Sequence, residues 1–168
     1  MPAHPTDTTP QPGERVSLRR VLPDGGQGDL VGFVLATTPD ELDLIDRRGV
    51  AHHVPWHHVV ALRRIDVPRG RDPLRAPRDL LDDLAARTGV AGRVFVIRLV
   101  DLLRDRRPPG DPLSAGRCEG EWITVAADAD IVAAGWWGAR QDARSMQVRT
   151  DDPLVIAQLL ALGFAERG

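Results

Sequence analysis

Glu14 to Ile65 reads ERVSLRRVLPDGGQGDLVGFVLATTPDELDLIDRRGVAHHVPWHHVVALRRI, and its patterning decides the fold. Arg15 to Leu22 alternates apolar and polar residues, the period of a half-buried strand. Pro23 to Gly28 supplies turn residues able to take positive φ. Leu30 to Ala36 is more continuously apolar, as in a strand buried on both faces, and Gly32 inside it reads as a bulge or bend. After the Thr38-Pro39-Asp40 turn, Leu42 and Leu44, with Val50 as a further member, are expected to face inward while Asp43 and Asp46 face out. Arg47-Arg48-Gly49 makes a tight hairpin. Val50 to Val54 and Val59 to Ile65 complete five strands, separated by one short 3₁₀ turn at Pro55-Trp56-His57-His58.

Five strands with a helical turn before the last is the order of an SH3-like barrel. Residues 14–65 are expected to close into one, burying Val16, Leu18, Leu30, Val34, Leu44, Val54 and Val60. Residues 1–13 carry four prolines and no apolar run, and are expected to form a disordered tail, neither signal peptide nor membrane anchor. Residues 66–77, with three prolines and three arginines, read as a linker. Residues 78–168 then form a small α/β domain, so the fold class is α+β. The expected elements are a helix over Arg78–Ala86 with Leu80, Leu81 and Leu84 on one face, ended by Gly89, and a strand over Arg93–Leu99. Val100 to Leu103 extends that strand or turns helical, and Arg104 to Gly116 is a polar loop. A strand over Glu121–Ala126 precedes a helix over Asp128–Asp142, capped by Asp128 and burying Ile131, Val132 and one of Trp136 and Trp137. A strand over Ser145–Arg149 and a helix over Asp152–Leu162, stopped by Gly163, close the chain.

Composition excludes several chemistries. All basic residues are arginine and there is no tyrosine, which removes lysine Schiff-base and tyrosine general-acid chemistry. A net charge of −2 gives no global attraction to nucleic acid or to an anionic membrane. No window approaches 18 apolar residues, so no membrane span is expected. Cys118 is alone, which excludes an intrachain disulfide and suits a reducing cytoplasm.

Two segments carry a resemblance. The Gly13-Glu14-Arg15-Val16 opening, the glycine-rich turn after Leu22, and Val54-Pro55-Trp56 followed by Val59 to Arg64 resemble the small domain preceding the acyltransferase domain in some actinobacterial GNAT-superfamily N-acetyltransferases. Trp136 to Arg140, Ala143 to Val148, and Asp152-Pro153 through Leu162-Gly163-Phe164 look like the closing helix–strand–helix of a GNAT fold. The resemblance implies acetyl-CoA as cofactor and acetyl transfer to an amine. Three departures go with it. Asp152 stands where the family often has a cofactor-contacting asparagine, and Leu159 where it commonly has a thiolate-protonating tyrosine. The phosphate-binding Arg/Gln-x-x-Gly-x-Gly/Ala loop is missing. Ala126 to Ala134 has no glycine and carries Asp128 and Asp130, whose charge repels a pyrophosphate. The expectation is a degenerate, non-catalytic module acting through a protein partner or ligand, with an active N-acetyltransferase as the alternative. Catalytic and cofactor-binding residues stay unassigned, with Glu119 and Glu121 the nearest candidates for a base.

His52, His53, His57 and His58 form the densest cluster of metal-ligand side chains. Adjacent strand residues point to opposite faces and the spacing matches no standard zinc signature, so no metal is expected there. The arginines at 63, 64, 69, 71, 75 and 78, interspersed with Asp66 and Asp72, read as a solvated stretch and not a nucleic-acid surface. Trp122, Trp136 and Trp137 read as core more readily than as pocket lining. Cys118 stands beside Arg117, which would lower its pKa, yet no histidine pairing is visible, and an inert thiol is expected.

Overall fold

Alternating apolar residues build the first sheet. In the computed structural model, which describes residues 9–109 and 116–168, β1 (Arg15–Val21), β2 (Gln27–Thr37), β3 (Glu41–Asp46), β4 (Ala51–Pro55) and β5 (Val59–Arg64) form an antiparallel sheet of order β4-β3-β2-β1-β5. A 3₁₀ turn at Trp56–His58 links β4 to β5. The inner face gathers Val16, Leu18, Leu30, Val34, Leu42, Leu44 and Val54, with Trp56, Val59 and Leu62 packed against it. Among the described residues no ladder joins β4 to β5, so the hydrogen-bonded order is open.

Two irregularities break the parity that the sequence suggests. Arg19 pairs with Ala61 but Arg20 pairs with Val59, so Val60 is an extra residue and is 50% exposed, not buried. Val34 pairs with Leu44 but Ala36 with Asp43, which puts the β2 bulge near Leu35 and not at Gly32. Gly32 does something else: a Cβ added there would lie 2.6 Å from the Ile45 carbonyl oxygen, so its missing side chain lets β2 and β3 approach. Val50, expected inside, is also 50% exposed because it ends the hairpin, where its N–H donates to Asp46 Oδ1. Residues 9–13, expected as tail, are tied down: Gly13 N–H donates to Val34 O at 2.7 Å and Thr37 Oγ1 to Pro10 O at 2.7 Å. The rest of the expected tail, residues 1–8, lies outside the described residues.

The second unit begins at Asp66. Residues 66–77 belong to it, with Val67, Pro73 and Ala76 buried and a 3₁₀ turn at Pro73–Arg75 whose cap Asp72 accepts from Leu74 N–H. The helix α1 (Arg78–Thr88) ends at Gly89 in the left-handed conformation, φ 71°, as a C-terminal glycine should. Leu81, Leu84 and Ala85 are its buried residues, while Leu80 is 40% exposed. β6 (Arg93–Arg98) runs directly into the five-residue helix α2 (Leu99–Leu103). β7 (Arg117–Glu119), β8 (Trp122–Val125), α3 (Ile131–Arg140), β9 (Ser145–Thr150), α4 (Pro153–Ala161) and β10 (Ala165–Arg167) complete the unit.

Its sheet has the order β10-β6-β9-β8-β7, and among the described residues only β8 and β9 are parallel. The register puts Val94, Val96 and Trp122 on the face that packs Ala76, Leu81 and Leu84. The opposite face carries Ile123 and Met146, against which Gly138 and Gly135 of α3 fit. The chain is therefore α+β, with two mostly antiparallel sheets and four α-helices among its described residues. No described helix is long and apolar enough to cross a membrane.

Replacing Gly32 by alanine is expected to destabilise the first unit by about 1–3 kcal/mol, the usual cost of forcing an extra group into a packed site. Urea unfolding checks this, and a Gly32→Ala protein with an unchanged midpoint would show that β2 and β3 can part without cost.

Candidate functional site

Three places are implied by the sequence: the helix starts of the second unit, the histidine cluster, and the residues around Cys118. Each is fixed by local backbone geometry.

The helix α3 starts after Asp130, not Asp128. Asp130 Oδ1 accepts from Ala133 N–H at 3.0 Å, while Asp128 is exposed in the preceding turn closed by Ala129 N–H to Ala126 O. The side-chain cap takes a donor that a phosphate would need and adds a carboxylate where the helix dipole is positive. Asp152 does the same for α4, with Oδ1 accepting from Leu154 N–H at 2.8 Å. Leu159 on α4 is 1% exposed and belongs to the core. β8 and β9 pair without interruption from Trp122–Ser145 to Val125–Val148, and Glu121 O accepts from both Arg144 and Ser145 N–H. The parallel strands are thus held together along their common length.

Of the three tryptophans in the second unit, Trp122 and Trp136 are buried and Trp137 is half-buried. Ile131 and Val132 are half-buried rather than buried, because α3 turns its small residues, Ala134, Gly135, Gly138 and Ala139, to the interior.

The two base candidates differ. Glu119 sits between guanidiniums, with Arg87 Nη1 at 2.6 Å from Oε1 and Arg117 Nε at 3.4 Å from Oε2. Both of its oxygens are thereby engaged in ion pairs, which suits a structural clamp between α1 and β7 more than proton abstraction. Glu121 is exposed and only 3.9 Å from Arg144 Nη1 at Oε1. Arg117, whose charge was expected to lower the thiol's pKa, is turned to Glu119 and to the Arg87 carbonyl. Burial wins instead and pushes Cys118 up to about 11.

The histidines divide as strand alternation requires. His52 lies opposite Leu44 and His53 opposite Asp43. His52 Nε2 is 3.0 Å from Asp46 Oδ2, and His53 Nδ1 is 2.6 Å from Asp43 Oδ1. His57 and His58, on the 3₁₀ turn, are exposed with rings 4.3 Å apart edge to face. The four imidazoles do not converge. A different grouping does: Glu41, Asp43 and His53 bring one donor atom each to within 4.8 Å of one another. Glu41 and Asp43 are two apart on β3, hence on one face, and His53 is the cross-strand neighbour of Asp43. Reading the histidines alone misses this set; the period-2 carboxylates preceding the hairpin were the available signal.

The arginine run is split between elements. Arg64 pairs with Glu14 at 2.8 Å and Arg75 with Asp72 at 3.8 Å, while Arg69, Arg71, Arg75 and Arg78 belong to the second unit. Comparison with protein-family models, curated proteins and solved structures finds no match to this chain.

Two outcomes follow from these environments. Asp46 is held below the usual carboxylate range, first by His52 and then by the Val50 N–H, with burial opposing them and the Arg48 N–H adding a smaller contribution. A carboxyl depressed in the folded state stabilises above its unfolded pKa, about 3.9, and that stability is lost as pH falls through the folded value. Asp46→Asn should therefore lower the melting temperature at pH 7 and shrink the loss seen on acidification below about pH 4. Parallel acid limbs for parent and variant would refute this role. Separately, Cys118 should react with iodoacetamide at pH 8 roughly a hundredfold more slowly than a free cysteine, because so little thiolate is present. Labelling followed by mass spectrometry reads it, and alkylation at the free-thiol rate would contradict the buried environment.

Proposed function

We propose that this chain is a GNAT-related protein in which an SH3-like barrel precedes a shortened acyltransferase-like domain that no longer catalyses and acts by binding a protein partner or ligand. The β4-β3-β2-β1-β5 order, with a 3₁₀ turn before β5, supports the barrel. The parallel β8–β9 pair with α3 crossing between them, followed by α4, supports the relation of the second unit to the acyltransferase fold. The lone cysteine suits a reducing cytoplasm.

The single observation that carries the non-catalytic reading is the start of α3. Acetyl-CoA of the usual kind needs free N–H groups and glycines close to its pyrophosphate. Here Asp130 supplies its own carboxylate to the Ala133 N–H, and no glycine lies between Ala126 and Ala134. The β8–β9 ladder is uninterrupted from Trp122–Ser145 to Val125–Val148, so over that length the strands do not part to admit a pantetheine arm. Leu159 cannot protonate a departing thiolate, and general-acid assistance is worth a factor of about 10²–10⁴ in rate. Its burial also means that Leu159→Tyr would overfill the core and not restore the acid.

Titration calorimetry with acetyl-CoA is expected to give no saturable heat, and a thiol-release assay over a panel of amines no turnover above buffer. Saturable binding together with turnover by the unmodified protein would overturn the proposal in favour of an active N-acetyltransferase.

A further inference from the structure

We propose that Glu41, Asp43 and His53 bind one divalent first-row transition-metal ion on the outer face of the β3–β4 hairpin. The inference is independent of the acyltransferase reading, since it rests only on the first unit. Three kinds of observation carry it.

The first is placement. Glu41 and Asp43 project from alternate positions of β3, an internal strand of its sheet, and His53 faces Asp43 across the ladder. Two ligands at i and i+2 plus one from the neighbouring antiparallel strand form a tripod on a rigid scaffold, the arrangement that best fixes a coordination sphere. The second is distance. The three donor atoms already lie within 4.8 Å of one another. Bond lengths of about 2.0–2.2 Å place ligands of one ion roughly 3–3.5 Å apart, so binding requires Glu41 to close in and His53, now 2.6 Å from Asp43, to move slightly away from it.

The third is charge. The chain's cations are all arginines, and several carboxylates in each unit are paired with them, among them Glu14 with Arg64, Asp29 with Arg19, Asp82 with Arg149 and Glu166 with Arg93. Among the described residues no arginine pairs with Glu41 or with Asp43, whose ion-pair partner is the His53 imidazole. Both carboxylates are half-buried, and each brings an oxygen to within 4.8 Å of the other and of a His53 nitrogen, so two acidic groups share one small patch. A divalent cation neutralises that pair. One nitrogen and two oxygen donors suit Zn²⁺, Co²⁺ or Ni²⁺ better than Ca²⁺, which takes oxygen alone. Three protein ligands leave the remaining positions to water. His52, His57 and His58 take no part, so the expectation of no metal is kept for those three and replaced for His53.

The test is titration of the full chain, purified without an affinity tag, with Co²⁺ followed by visible absorbance and with Zn²⁺ followed by calorimetry. One ion per chain is expected. His53→Ala and, separately, Glu41→Gln should each weaken binding by about tenfold or more, since even loss of an outer-sphere partner costs about 10–100-fold. His57→Ala and His58→Ala should leave it unchanged. Circular dichroism of each variant distinguishes a lost ligand from a lost fold, and Glu41→Gln keeps the side-chain volume if His53→Ala fails to fold. No stoichiometric binding by the parent, or binding that survives both His53→Ala and Glu41→Gln, overturns the proposal.

Discussion

The second unit depends on one buried amide. Gln147 is fully buried in the middle of the sheet, where an unpaired side-chain amide would cost several kcal/mol in an apolar setting. Its nitrogen donates to the Leu81 carbonyl of α1 at 3.1 Å and to Thr124 Oγ1 of β8 at 3.2 Å, and its oxygen accepts from Arg149 Nε at 3.2 Å. Arg149 in turn reaches Asp82 of α1 at 2.7 Å. The apolar contacts of α1 with the sheet are non-directional and would tolerate a helix slid by a turn. The amide does not. It fixes which carbonyl of α1 lies over which strand, and so the position of every residue that the helix presents.

The same economy governs the helix starts. Asp72, Asp130 and Asp152 each cap a helical segment with their own carboxylate. A self-capped helix is stable without a ligand, and the donors so used are withdrawn from anion binding. Stability of the free protein and affinity for phosphate compete for the same N–H groups, and at these three positions the sequence resolves the competition toward stability.

How far the sequence revealed the fold depended on whether a local pattern ran unbroken. Val16 and Leu18, or Leu42 and Leu44, alternate cleanly, and their strands were legible. Val60 was not, because the extra residue in β5 breaks the parity on which the reading rests. The start of α3 was displaced by two residues because Asp128 and Asp130 are both good caps, and only the geometry of the turn at Ala126–Ala129 chooses between them. The strands β7 and β10 went unseen, since three residues such as Arg117-Cys118-Glu119 carry no period. Around Cys118 the sequence misled through adjacency: Arg117 is next in the chain, but its guanidinium is committed elsewhere. The Glu41–Asp43–His53 grouping needed the β3–β4 register, a long-range fact that no single strand contains.

Those two short strands have a consequence of their own. β7 and β10 are the edges of the second sheet, and each offers three residues of backbone. An edge of that length is a poor template for an incoming strand, which protects a sheet against edge-to-edge aggregation. It also narrows the ways in which another molecule can be recognised by this unit. A peptide that binds by adding itself to a sheet draws its affinity from a row of main-chain hydrogen bonds. Among the described residues that row is only three residues long at either end, which leaves side chains and helix surfaces as the larger share of what the second unit can present.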